Sequence, residues 1–415
     1  MFTSFSTALS ALSATSTAID VVGNNLANMN TDGFKASTVS FHDLVAQSLG
    51  AGLGETQVGF GVGAPATLTE FTQGAIQTTN GPLDAAISGD GFFIVNAPNG
   101  AVEYTRGGSF QTDQSGDLMT ATGEYLQGWM AAPDGTLNTN GPVGNITVPT
   151  GTLKPPAAST QFSLDMNLNA DSTAGPPPTT FSTSLQVYDS LGTPHTLTAT
   201  FTATSTPGQW NYSISVPDSD LTAPFTPVTG TLQFDSSGQL TSPAAGSAMP
   251  TVPITGLADG AADVNLTWNL FNGSTGEITQ FAQASAISTL SQDGSAAAQL
   301  TSVGIANGGS IVAQYSDGQQ AVVGQLAMAT VRNPDSLIAV GDNCYQLSAL
   351  SALPAVGVPG TGGRGQVVGG SVESSTVDMA TEFTNLIVYQ RAYEASAKVI
   401  TTVDQMSQDT INLKQ

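Results

Sequence analysis

Two stretches at opposite ends of the sequence repeat apolar residues at alternating intervals of three and four. In residues 2–29 the positions are Phe2, Phe5, Leu9, Leu12, Ser16, Ile19, Gly23 and Leu26, and in residues 389–413 they are Tyr389, Ala392, Ser396, Val399, Val403, Met406, Thr410 and Leu413. This spacing predicts two heptad helices. Neither is a strong helix former alone: the first is dense in Ser and Thr, which rank below Ala and Leu in propensity, and isolated helices of this length are marginal in water. Each therefore requires a partner. The other end of the chain supplies one, although two surface helices laid on a globular core satisfy the same periodicity.

Between these ends the pattern shortens to period-two segments separated by turn pairs. Residues 87–95 and 102–105 flank Asn99-Gly100, residues 110–112 and 118–120 flank 113–117, and further turns fall at Asp134-Gly135 and Asn140-Gly141. Pro, Ser and Thr around 154–156 and the run Gly175-Pro176-Pro177-Pro178 mark a boundary. A second β module follows, with strands expected at 184–188, 196–204, 210–216, 231–234 and 264–271. From Gln299 the pattern returns to that of the first module, with strands at 311–315 and 320–330 around Asp317-Gly318, and the Gly-rich stretch 357–370 mirrors the one at 50–63.

If the two end helices pair, the β segments attached to them must also meet, so the domains nest. The expected fold is mainly β with α-helical termini: two or more barrel- or sandwich-like β domains nested in sequence, and end helices pairing as a coiled-coil core. The divisions are a helical core at 1–31 and 374–415, a connector at 32–70 and 357–373, an inner β domain at 71–149 and 288–356, and an outer β domain at 150–287.

Charge excludes several partners. The 415 residues carry a net charge of −23, and no Lys or Arg lies between Lys154 and Arg332. Nucleic acid and anionic membranes need clustered cations, so neither is expected to bind. Contacts made by the cation-free stretch must rest on hydrogen bonds, apolar surface and water. The single cysteine, Cys344, excludes an internal disulfide and a Cys-rich metal site. Residues 1–29 lack the basic start of a cleaved leader, and no run of about eighteen apolar residues is evident, so no membrane insertion is expected.

Catalytic and metal chemistry find little support. Only His42 and His195 offer imidazole, and abundant Ser and Asp make any triad match uninformative. Asp90, Asp113, Asp117, Asp134 and Asp317 adjoin glycine or turn residues, and none sits in a calcium-loop pattern, so turn chemistry accounts for them. Cys344, in a strand-like run, reads as a small buried hydrophobe. No enzyme activity, cofactor or metal is expected.

Four motifs carry a resemblance. Asn24-Asn25-Leu26-Ala27-Asn28 continues through Asn30-Thr31-Asp32-Gly33-Phe34-Lys35, and Ile87-Ser88-Gly89-Asp90-Gly91-Phe92-Phe93 and Tyr104-Thr105-Arg106-Gly107-Gly108-Ser109-Phe110 follow. The fourth is the run 377–402 containing Tyr389-Gln390-Arg391-Ala392-Tyr393. Together they resemble the bacterial flagellar rod, hook and hook-associated axial proteins. The middle of the chain, with Tyr188-Asp189-Ser190-Leu191-Gly192-Thr193-Pro194-His195 and Gly230-Thr231-Leu232-Gln233-Phe234-Asp235, resembles the outer domain of hook proteins.

The resemblance implies a structural subunit that self-assembles into a flexible tube, a universal joint carrying torque from the basal-body rod to the filament. It implies as partners further copies of the chain, the distal rod protein, the hook-filament junction protein, the hook cap and the flagellar export apparatus. It also implies an extracellular place in the hook, reached by type III export without a cleaved signal peptide. A distal rod or other hook-associated axial protein remains the alternative within the family, and a β-rich surface adhesin the alternative outside it.

Overall fold

The computed structural model describes residues 2–44, 47–49, 56–132, 135–151, 153–172 and 174–412. Asp134, Leu413 and much of the Gly-rich stretch 50–63 thus lie outside the described residues. The chain is mainly β, with one long helix at each end: α1 (Phe2–Ala27) and α2 (Met379–Asn412). It divides into two compact units, one of Met1–Thr150, Ser302–Gln314 and Gln320–Gln415, the other of Gly151–Thr301 and Tyr315–Gln319.

α1 stops at Ala27, within the asparagine cluster of Asn24, Asn25, Asn28 and Asn30. Asn28 closes the last turn, its Nδ2 (2.9 Å) and its backbone amide (3.2 Å) both donating to the Asn24 carbonyl. α2 starts ten residues before the expected Tyr389, because Asp378 caps it: its Oδ1 accepts from the backbone amides of Ala380 (2.8 Å) and Thr381 (3.1 Å). By length and composition the stretch Ser4–Ala27 is apolar enough to cross a membrane, contrary to the sequence expectation. In the fold this helix packs against α2.

In the first unit, strands Gln320–Leu326, Tyr125–Met130, Phe92–Asn96, Val102–Thr105, Cys344–Gln346 and Ile338–Gly341 lie side by side, each antiparallel to the next. Segments more than two hundred residues apart in sequence therefore share one sheet. The same convergence recurs closer to the helices, where Gln366–Gly369 pairs with Ala85–Ser88 and Ser371–Glu373 with Ile76–Thr78. The expected strand 87–95 is divided: Ala85–Ser88 and Phe92–Asn96 belong to different sheets. Gly89 (φ 101°) and Gly91 (φ 133°) break it, in a backbone region that side chains disfavour.

The second unit holds two five-stranded sheets. One is a meander of Thr180–Tyr188, Pro194–Ala203, Gln209–Ser215, Val228–Phe234 and Leu240–Ser242. In the other, Gln161–Asn167 pairs with Val264–Asn269 and Ile278–Thr279 in parallel and with Ala286–Gln292 antiparallel, while Thr251–Ile254 joins Val264–Asn269. Alternation along these strands buries one face of each, and Trp210, Phe201, Ile214, Leu232, Phe162 and Trp268 form a common core. Trp268 stacks on Phe162 (6.0 Å) and meets Tyr212 edge-on (5.1 Å). Residues 288–301, expected in the inner domain, lie in this unit, because Ala286–Gln292 pairs along Gln161–Asn167.

Candidate assembly surface

The two helices run antiparallel. Asn25 of α1 meets Glu382 near the start of α2, and Ser4, Thr7, Ala8 and Ala11 line a groove of about 390 Å³ with Ser396 and Val399. The face of α1 that packs is one residue out of step with the predicted seam. Ala8, Ala18, Val22 and Asn25 are buried, with Ala11 and Thr15 completing the three-four spacing. Phe5 is 41% exposed and Leu9 51%, while Leu12, Ile19 and Leu26 are half-buried. Two adjacent stripes share one period here, and close approach of helices favours the stripe of smaller side chains.

On α2, Tyr389, Ala392, Ser396 and Val403 are half-buried, whereas Val399 (47% exposed) and Met406 (57%) face out. Ile400 and Ser407 take their places, so the inward stripe advances by 3, 4, 4, 3 and 4 from Tyr389. That is the 3.6-residue period of a straight helix rather than the 3.5 of a supercoil. Phe2 lies in α1, and Leu413 lies outside the described residues. Phe383, Ile387, Val388 and Ile411 add to the exposed apolar surface of α2.

Buried polar groups lock the helix pair to the adjoining β segments. Asn25 Nδ2 donates to Glu382 Oε1 (2.9 Å) and to the Ser37 carbonyl (2.8 Å), and its Oδ1 accepts from the Ser37 amide (3.0 Å). Nearby, Glu373 receives two cations: Lys35 Nζ at 2.6 Å and Arg106 Nη1 at 3.1 Å, all three side chains nearly inaccessible. Gly74 N also donates to Glu373 Oε1 (2.7 Å), and Lys35 donates to the Thr72 carbonyl (2.6 Å). Burial holds the Lys35 pKa below its ordinary value, outweighing the hydrogen bond and charge of Glu373. Removing one member of such a cluster costs about 3–5 kcal/mol, because a charge is left buried and unpaired.

These clusters show what several motif residues do. Arg106 Nη2 donates to the Gly89 carbonyl (2.9 Å) and its guanidinium lies over the Phe92 ring. Gly33 (φ 70°) donates its amide to the Glu373 carbonyl (2.6 Å), and a β-carbon there would fall on the backbone of Arg106 and Gly107. The Phe34 carbonyl accepts from Thr376 N (3.1 Å). Asn24, Ala27, Asp90, Gln390, Arg391 and Tyr393 are exposed instead, and take no part in this cluster. Glu373, Glu382 and Asp378 escaped the sequence reading. That Lys35 and Arg106, two of only eight cations, stand in motifs rich in glycine and asparagine was the signal that a buried carboxylate awaited them.

In the second unit His195 is buried with both ring nitrogens facing carboxylates, Nε2 to Asp189 Oδ2 (3.1 Å) and Nδ1 to Asp220 Oδ2 (3.2 Å). Burial disfavours the imidazolium, but the bonds and charges of Asp189 and Asp220 outweigh it, so the His195 pKa is raised. Asp189 moves the other way, to about 2: burial opposes this, while Asp259, His195 and the amides of Thr193 and Leu191 favour the charged form. Asp189, His195 and Asp259 each bring a potential metal ligand within 4.8 Å of the others, yet the imidazole is already committed to its two carboxylates. Asp113 and Asp317 accept amides from their own turns, as turn chemistry requires. Burial, reinforced by Glu124 and Glu103, pushes the Cys344 thiol up to about 12, far from reactivity.

Apolar helix faces left open on a chain whose ends converge, with a sandwich inserted between them in sequence, are the features of a subunit with surface to share. Family profiles cover most of its length. "Flagella basal body rod protein" matches residues 5–35, "Flagellar hook protein FlgE/F/G D1 domain" 86–167, "Flagellar basal body protein FlaE D2 domain" 164–295 and "Flagellar basal body rod FlgEFG protein C-terminal" 368–413. The flagellar hook protein FlgE of Salmonella typhimurium is 35% identical over 99% of this chain and 100% of its own length. That of Borreliella burgdorferi is 33% identical over the full length of both. The crystal structure of Helicobacter pylori flagellar hook protein FlgE2 shares the fold at a TM-score of 0.53 and 16% identity, covering 70% of this chain and 99% of that one. The chain belongs to the flagellar hook protein family, and it is a structural subunit of the bacterial flagellar hook.

Proposed function

We propose that this subunit polymerises with copies of itself into the flexible tube that joins the rod to the filament, using the helix pair as the polymerising element. The observation carrying this reading is that large apolar residues of both helices, Phe5, Leu9, Phe383, Ile387, Val399 and Met406, lie exposed, while the buried apolar residues of α1 are the small Ala8, Ala14, Ala18 and Val22. Such surface on a helix pair demands further partners, and identical subunits provide them. The helical ends form the core of the tube, with the connector and inner β domain around it. The chain performs no catalysis and leaves the cell through the flagellar export apparatus. Distal rod, junction and cap proteins are its neighbours at the ends of the polymer.

Deleting residues 1–31 tests this. Electron microscopy of concentrated full-length protein is expected to show tubes and the deletion variant none, while near-ultraviolet circular dichroism retains the signal of the sandwich core. Tubes from the deletion variant would overturn the reading.

A further inference from the structure

The apolar faces of the helices bury surface at many registers, because a slip of one helical turn exchanges one apolar side chain for another. Something must select among them. α1 carries a single charged residue, Asp20, which is exposed and has no partner among the described residues. It stands on the outward stripe that begins with Phe5 and Leu9 and continues through Ser13 and Ser16.

Complementary charge lies on α2. Of the eight cations, Lys35 and Arg106 are held by Glu373, Lys154 lies against Asp317 and Gln319, and Arg364 donates to Val358, Ala355 and Thr361. Among the described residues this leaves Arg332, Arg391 and Lys398 without an ion pair or hydrogen bond to their charged groups. Two of these three share one helix. They stand seven residues apart, on one face and about 10 Å apart along the axis, beside the exposed Val388 and Val399. In a chain of net charge −23, two cations on an exposed face that carries a single anion, Glu394, match an anion brought by another copy.

We propose that Asp20 of one copy pairs with the Arg391–Lys398 stripe of a second copy, and that this pairing sets the register at which the apolar faces meet. The inference rests on the self-assembly proposed above and adds to it the residues that choose the register. A slip of one turn still buries Phe5 and Leu9 but leaves the sole charge of α1 without its cation, as mispaired flanking charges penalise wrong registers in coiled coils.

Salt alone does not test this, since it also screens the mutual repulsion of the acidic copies and so acts in both directions. Charge exchange does. Full-length Asp20→Lys, Arg391→Glu and Lys398→Glu, and the pairs Asp20→Lys/Arg391→Glu and Asp20→Lys/Lys398→Glu, are to be compared with the unaltered protein by sedimentation of polymer and electron microscopy. Asp20→Lys is expected to raise the critical concentration about tenfold or more, the scale of a close interfacial charge pair, with the monomer's circular dichroism unchanged. At least one exchanged pair is expected to restore it, and which one restores it identifies the cation. Normal tubes from Asp20→Lys, or restoration by neither exchanged pair, would overturn the proposal. If the unaltered protein forms no tubes, it is the self-assembly reading that falls.

Discussion

The sandwich of the second unit and the helix pair solve the burial of apolar surface in opposite ways. In the sandwich the largest side chains are the most hidden: Trp210, Trp268, Phe162 and Phe201 are all under 2% exposed. In the helix pair the buried apolar residues are the alanines Ala8, Ala14 and Ala18 and Val22, while Phe5, Leu9, Phe383, Ile387 and Met406 face outward. One region completes its core within the chain, and the other leaves its larger apolar surface for other molecules. Under the function proposed above, stability of the subunit and capacity to assemble rest on different residues, which mutations can separate.

The largest effect is expected at Trp268. Replacing it by Ala removes the ring that Phe162, Phe201 and Tyr212 contact, and should lower the unfolding free energy of the sandwich by about 3–5 kcal/mol, read from denaturant unfolding. A loss below about 1 kcal/mol would show that this core is not close-packed.

A smaller effect concerns pH. The His195 pKa is raised on folding, so its stabilising contribution is complete below about 6.5, the unfolded value, and disappears as pH rises through the folded value. Asp189 has the opposite sign: its contribution is present above about 3.8 and lost as pH falls toward about 2. Thermal melts of the full chain should place the sandwich midpoint lower at pH 8.5 than at pH 6, and His195→Gln should flatten that difference. An unchanged slope in the variant would assign the pH response to other groups.

The smallest effect sharpens the contrast. Leu9→Ala should change the stability of the free subunit by no more than about 0.5 kcal/mol, since the side chain is half in water, yet it should raise the concentration needed for polymer. If instead the monomer were strongly destabilised, the outward face of α1 would belong to the intrachain contact.

Much of the architecture was legible in the chain because it depends on local pattern. Period-two alternation located the meander strands of the sandwich to within a few residues, and the turn pairs at Asp113–Asp117 and Asp317-Gly318 marked hairpins that form as expected. Asn99-Gly100 likewise turns the chain between Phe92–Asn96 and Val102–Thr105. The early start of α2 was written in Asp378 but overlooked, because an N-cap signal gains meaning only when the helix that follows is recognised.

The sequence by itself determined that the ends are amphipathic helices, that the interior is β, and that the chain belongs among hook proteins, since periodicity and motifs survive without coordinates. Tertiary structure alone decided which of two neighbouring stripes on α1 faces α2. Both stripes repeat every three and four residues, and only the distance of approach separates Ala8, Ala18 and Val22 from Phe5 and Leu9. It also decided that Lys35, Arg106 and Glu373, far apart in the chain, share one buried site. A periodicity records how often a residue recurs, whereas the partner that covers it is chosen by packing in three dimensions.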